Sequence, residues 1–174
     1  MTRGPVLSGP VVIVGAGHAG FQVAASLRQH GFAEPIALLN DEGHLPYQRP
    51  PLSKAYLKGT GGPDSLMFRP EKFYSDQKID LISDRAVSID RAARKVLLAS
   101  GNSLDYGHLV LATGARNRLL DIPNANLDSV RYLRTLDESQ SLRDYIAAGQ
   151  RVVVIGAGFI SAYRSPASRA TAAR

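Results

Sequence analysis

The residues best placed to do chemistry are the glycines of Gly15-Ala16-Gly17-His18-Ala19-Gly20. They follow a β-branched run, Val11-Val12-Ile13-Val14, and precede a helical pattern of Phe21, Ala24, Ala25, Leu27 and Arg28 that stops near Gly31. In such a strand-to-helix turn the first glycine permits the tight bend. The second lets a pyrophosphate approach the backbone, and the third lets helix and strand pack closely. The open N–H groups of the first helical turn and the helix dipole then favour an anion. Ile36-Ala37-Leu38-Leu39 reads as a second buried strand, and Asp41 follows it, 21 residues after Gly20. An acid there is placed to accept hydrogen bonds from a ribose hydroxyl, so the ligand expected is a dinucleotide.

Two further turns share this character. Ala112-Thr113-Gly114 ends the buried run Leu109-Val110-Leu111-Ala112, and its small residues would let the backbone pass close to a cofactor. Gly156-Ala157-Gly158 follows the run Arg151–Ile155, which is expected to be a buried strand opening a second dinucleotide fold. Its third glycine is replaced by Ser161, and no further strand or acid follows.

The elements that must hold these turns are a βαβ unit with parallel strands over residues 11–39, then an irregular stretch, then strands again. Residues 41–70 carry five prolines and four glycines, which interrupts regular structure. Tyr47, Tyr56, Phe68, Leu45, Leu52 and Leu66 nevertheless give that stretch enough apolar surface to be ordered, with a short helix over Leu52 to Leu57 after Pro50-Pro51. Strands are expected at Ile79–Ile82, at Ala86–Asp90 with half-buried alternation, and at Lys95–Leu98 in a hairpin with Ser103-Leu104. A helix is expected over Leu136–Ile146, with Thr135 and Glu138 forming a capping box and Gly149 ending it. The fold class is therefore α/β: a Rossmann-like domain with a parallel sheet and a β-hairpin or meander excursion, and a second dinucleotide fold cut at its first strand.

Composition narrows the chemistry. With 174 residues, one sizeable core is available. There is no cysteine, which excludes a redox Cys pair, a disulfide scaffold or a thiolate metal site, and no metal site is expected. No apolar run approaches membrane length and Met1–Pro10 has no signal-peptide character, so a cytoplasmic location is expected. The net charge of +6 is not a nucleic-acid signature. Residues 1–163 hold 18 basic and 15 acidic residues, dispersed, and Arg164, Arg169 and Arg174 lie in an Ala/Ser/Arg tail.

Together Val11–Gly20, Arg49-Pro50-Pro51-Leu52-Ser53-Lys54, Leu109–Gly114, Tyr132-Leu133-Arg134-Thr135-Leu136 and Val152–Ile160 resemble the FAD-dependent ferredoxin reductases. The type resembled is putidaredoxin, rhodocoxin and palustrisredoxin reductase, in the pyridine nucleotide-disulfide oxidoreductase superfamily. The five motifs occur in family order across roughly residues 8–160. The resemblance implies hydride transfer from NADH or NADPH to FAD, then single electrons to a [2Fe-2S] ferredoxin, often one serving a cytochrome P450. Nucleic acid and membrane are not implied as partners. Gly15, Gly17, His18, Ala19 and Gly20 would hold the FAD pyrophosphate, and Asp41 the adenosine ribose. Val87 would meet the adenine through its backbone. Arg49, Pro50, Ala112, Thr113, Gly114 and Arg134 would line the cofactor, and Gly156 and Gly158 would begin the nicotinamide-nucleotide site. Lys54 would approach the isoalloxazine ring as the catalytic residue, favouring negative charge on the reduced flavin.

The domain division implied is residues 1–148 for the first FAD-binding segment, 149–160 for the start of a truncated NAD(P)-binding domain, and 161–174 for a disordered tail. Where the family continues Gly-Leu-Glu, this chain has Ser161-Ala162-Tyr163, so Lys54 would lack its acidic partner. The abrupt change looks like a frameshift or truncated gene, and little turnover is expected of such a product. Two other readings stay open: a ligand-free fragment, and a short nicotinamide-dependent oxidoreductase. The latter requires a Tyr-x-x-x-Lys pair, and none is expected in this chain.

Overall fold

The computed structural model describes residues 8–155. They form two compact units: residues 8–48 with 67–115, and residues 49–66 with 116–155.

The first unit is built on a parallel sheet. Its strands are β1 (Val11–Val14), β2 (Ile36–Leu39), β3 (Ile79–Ile82) and β7 (His108–Leu111), in the order β3-β2-β1-β7. Between β3 and β7 the chain makes an antiparallel meander of β4 (Ala86–Asp90), β5 (Lys95–Leu98) and β6 (Ser103–Asp105). Strand side chains alternate between faces, and here both faces are covered. One buries Val11, Ile13, Ile36, Leu38 and Ile79 with Phe21 and Ala24 of α1 (His18–Gln29) and Tyr74 of α2 (Glu71–Asp76). The other packs Val12 and Leu39 against Val96 and Leu98 of β5. Two-sided burial is why these strands read as unbroken apolar runs.

Several details depart from the sequence-based expectation. Ala86–Asp90 is a strand, but its side chains do not alternate in burial: Val87 is 55% exposed and Ile89 38%. A register shift between Ala86 and Ser88, where β4 pairs with β5, breaks the two-residue period. The helix α2 was not expected, because six residues are too few to show a 3.6-residue period. Arg151–Ile155 forms no strand, and Val153, Val154 and Ile155 are exposed. A parallel strand exists only by pairing with a neighbour, and no strand among the described residues pairs with this run.

The second unit centres on α3 (Leu136–Ala147) and a 3-10 turn at Pro50–Ser53, which stands where a short helix over Leu52–Leu57 was expected. Two prolines at its start set φ but supply no N–H donor, so only one tight turn forms. The predicted capping box of Thr135 and Glu138 is present, and Gly149, at φ +76°, follows the helix end. Tyr56 and Leu52 are buried, so this part of the proline-rich stretch is ordered through its apolar side chains.

Tyr74 places a hydroxyl in the core with no hydrogen-bond partner among the described residues. Burial pushes its pKa up from 10.0 to about 12, against a smaller opposing effect of Arg69. Between those values the unfolded chain releases this proton while the fold retains it, so stability falls as pH rises above about 10. Tyr74→Phe should hold or raise the melting temperature near neutral pH and reduce the alkaline decline. Thermal melts at about pH 8 and about pH 11 check this, and an unchanged alkaline decline in the variant would count against it.

Candidate functional site

In the first unit, the loops after all four parallel strands carry the expected site residues or their neighbours, which is where open α/β sheets bind ligands. The turn after β1 is fixed on both sides. The Gly15 N–H donates to the Leu39 carbonyl at 3.1 Å, and the Ala112 N–H donates to the Val14 carbonyl at 2.9 Å. Gly15 sits at φ +105°, and a Cβ there would lie 2.3 Å from the Ala112 oxygen. At Gly20 a Cβ would lie 1.8 Å from the Gly15 oxygen. These two glycines are therefore structural requirements of the turn.

Gly17 differs. Its φ of −73° suits any residue, yet a Cβ would meet nothing within 4 Å. It is the N-cap of α1, makes no side-chain cap hydrogen bond, and has no acid in the turn after it. A helix start with open space over it, no cap and no competing carboxylate has the features that receive a phosphate. His18 and Ala19 are exposed beside it. The His18 ring packs edge-on against Phe68 at 4.8 Å, and Phe68 stacks on Phe21 at 4.5 Å.

Asp41 is exposed after β2 and shares a shallow cleft with Ser83, Asp84 and Arg85. A Ser100 hydrogen bond and the Arg85 N–H, which donates to Asp84 Oδ1 at 2.7 Å, hold the Asp84 carboxyl below the usual range. The cleft thus brings an acid pair and a cation together beside the carboxyl ends of β2 and β3. Residues 83–85 follow β3 and were missed, because loop residues carry no periodic signal. The neighbouring acid Glu42 accepts a hydrogen bond from the Tyr47 hydroxyl. Val87 lies in β4 with its side chain exposed. Thr113 and Gly114 are exposed at the end of β7, with Gly114 at φ +66°.

In the second unit, the structure joins Arg49 to Arg134: Arg49 Nη1 donates to the Arg134 carbonyl at 3.1 Å. Pro50 begins the 3-10 turn and exposed Lys54 ends it. That turn is anchored to α3. Ser139, fully buried, donates through Oγ to the Leu52 carbonyl at 2.7 Å, and Tyr56 Oη donates to Gln140 Oε1 at 2.6 Å. A separate concavity of about 880 Å³, lined by Leu119, Ile122, Leu127, Val130 and Tyr132 among others, holds none of the expected cofactor residues. Gly156 and Gly158 lie outside the described residues.

A Tyr-x-x-x-Lys spacing does occur, at Tyr74 and Lys78, contrary to expectation. It does not form a dehydrogenase proton relay. The Tyr74 hydroxyl is buried in the core and holds its proton more tightly than a free tyrosine, whereas a relay needs an accessible, acidified phenol. Among the described residues there is no group of three or more metal-ligating side chains, and no helix is long and apolar enough to cross a membrane.

Residues 9–164 match the pyridine nucleotide-disulphide oxidoreductase family, and the chain belongs to that family. Within it, the chain is 50% identical to rhodocoxin reductase of Rhodococcus erythropolis over 91% of this chain and 38% of the relative. Among solved structures it is similar to the ferredoxin reductase for the CYP199A2 system of Rhodopseudomonas palustris. That likeness has 70% identity and a TM-score of 0.85, and covers 87% of this chain and 38% of the other. Putidaredoxin reductase, in covalent complex with putidaredoxin, matches at 42% identity with a TM-score of 0.81, over 87% of this chain and 37% of the other. The chain thus spans about 38% of the length of the relatives it matches.

Proposed function

We propose that this chain is the FAD-binding part of an NAD(P)H-dependent ferredoxin reductase. The observation carrying the reading is the open, uncapped helix start at Gly17, at the carboxyl ends of a parallel sheet in a chain of this family. When bound, FAD accepts a hydride and releases electrons singly. In the whole protein, NADH would supply that two-electron equivalent and a [2Fe-2S] ferredoxin would take one electron at a time. Residues 1–148 form the first FAD-binding segment in this reading, and residues 149–160 begin the NAD(P)-binding domain with Gly156 and Gly158; the tail assigned to residues 161–174 lies outside the described residues. The absence of cysteine fits a cytoplasmic location.

The roles of the chain's own groups follow from their chemistry. Backbone N–H groups at Gly17, His18, Ala19 and Gly20 bind the pyrophosphate, with Gly15 shaping the turn. Asp41 accepts from the ribose, and the backbone at Val87 meets the adenine. Ala112, Thr113 and Gly114 allow close approach of the chain to the cofactor. Arg49, Pro50 and Arg134 line it, and Lys54 brings positive charge toward the ring that becomes anionic on reduction.

The test is direct. The purified chain, incubated with excess FAD and desalted, should remain yellow, quench flavin fluorescence and melt at a higher temperature than the apoprotein. A colourless protein whose melting temperature ignores added FAD would overturn the proposal in favour of a ligand-free fragment.

A further inference from the structure

The capping box at α3 does more than close a helix. In such a box the glutamate side chain accepts from the N-cap backbone, and Glu138 Oε2 accepts from the Thr135 N–H at 3.0 Å. The same oxygen also accepts from the Arg134 N–H, at 2.6 Å. The cap does not require that second bond. It fixes a residue just outside the helix, and the carbonyl of that residue is the one that receives Arg49 Nη1. One carboxylate oxygen therefore holds the backbone whose next polar group holds the guanidinium.

We propose that Glu138 is a positioning residue for Arg49, acting through the backbone of Arg134, and that it strengthens the hold on FAD. The inference rests on the reading above, in which Arg49 lies against the cofactor. An arginine side chain has large rotamer freedom to lose on binding, and a guanidinium already tethered in place loses less of it. Residue 134 lies in a non-helical segment, so its peptide has no helical hydrogen bonds to orient it. Glu138 supplies that orientation.

The experiment measures FAD dissociation constants by fluorescence quenching, and melting temperatures, on the full 174-residue chain. Glu138→Ala should weaken FAD binding about tenfold. Thr135→Ala removes the hydroxyl half of the same box, which donates nothing to Arg134. It should lower the melting temperature comparably yet leave the dissociation constant within about twofold. In an Arg49→Leu background, Glu138→Ala should add no further loss of affinity. Should Glu138→Ala not fold, Glu138→Gln keeps an acceptor oxygen and should bind like the wild type, whereas Glu138→Asp withdraws it by one methylene and should bind weakly. Equal losses in Glu138→Ala and Thr135→Ala, a Glu138 effect that persists without Arg49, or equal constants for Glu138→Gln and Glu138→Asp would each overturn the proposal. A wild-type chain that binds no FAD overturns the functional reading and this inference with it. A wild-type chain that binds FAD, with variants that behave additively, removes this inference alone.

Discussion

Gly17→Asp should abolish FAD binding while making the empty protein more stable. The position is an N-cap with extended backbone and no side-chain cap, so an aspartate fits without strain. It would accept hydrogen bonds from the first turn of α1 and place negative charge at the helix N-terminus. Both effects are favourable, by about 0.3–1 kcal/mol together. The same carboxylate fills the open space over the turn and repels the phosphates. At a partly shielded distance of about 4 Å that repulsion is roughly 4 kcal/mol, so a loss of affinity of about 100-fold or more is expected. Gly17→Asn caps the helix without the charge and should fall between the two. Calorimetric melts of the apoproteins and FAD titrations check both halves. If Gly17→Asp retained FAD within about threefold of wild type, the phosphate would not lie over this turn.

Arg28→Leu should cost about 3 kcal/mol of stability, a fall of roughly 10 °C in melting temperature for a chain of this size. Its guanidinium donates to four carbonyls: from Nε to Gln77 at 2.7 Å, from Nη1 to Phe32 at 2.6 Å and Glu34 at 2.8 Å, and from Nη2 to Lys78 at 2.7 Å. These bonds tie the end of α1 and the approach to β2 to the turn before β3, where Lys78 adopts a left-handed φ of +52°. The acceptors are largely solvent-accessible and would regain water, which keeps the expected loss well below the sum of four buried bonds. A lysine offers one point donor group instead of a planar fork, so Arg28→Lys should recover less than half. Denaturant unfolding measures the difference, and a loss under about 1 kcal/mol would show these contacts to be incidental.

The contrast between these two residues explains what the sequence made legible. Gly17 stood out because the glycine turn, its strand and its helix are contiguous within about 20 residues, and local spacing encodes local geometry. The strands of the sheet and the capping box of α3 were legible for the same reason. Arg28 appeared only as one member of a helical pattern. Its partners at residues 77 and 78 are joined to it by tertiary folding, which single-sequence periodicity does not record. Asp84 and Arg85 were hidden because loop residues carry no periodic signal, and the second bond of Glu138, though local, lies outside the capping-box pattern. Arg151–Ile155 shows the opposite failure. Its β-branched composition states a preference for strand, but strand formation depends on a partner, and composition says nothing about partners.

The pairing of β1 with two neighbours at very different distances along the chain also orders events in time. Val11 meets Ile36 across 25 residues but meets His108 across 97. Closing the longer loop costs about 1.2 kcal/mol more in chain entropy, and that cost falls before the contacts repay it. The β1–β2 edge should therefore form early and the β1–β7 edge late. Gly15 takes up its place against the Ala112 carbonyl only when that late edge closes. In a refolding experiment, the recovery of flavin quenching would then lag behind helix formation and serve as a clock for the last step of assembly.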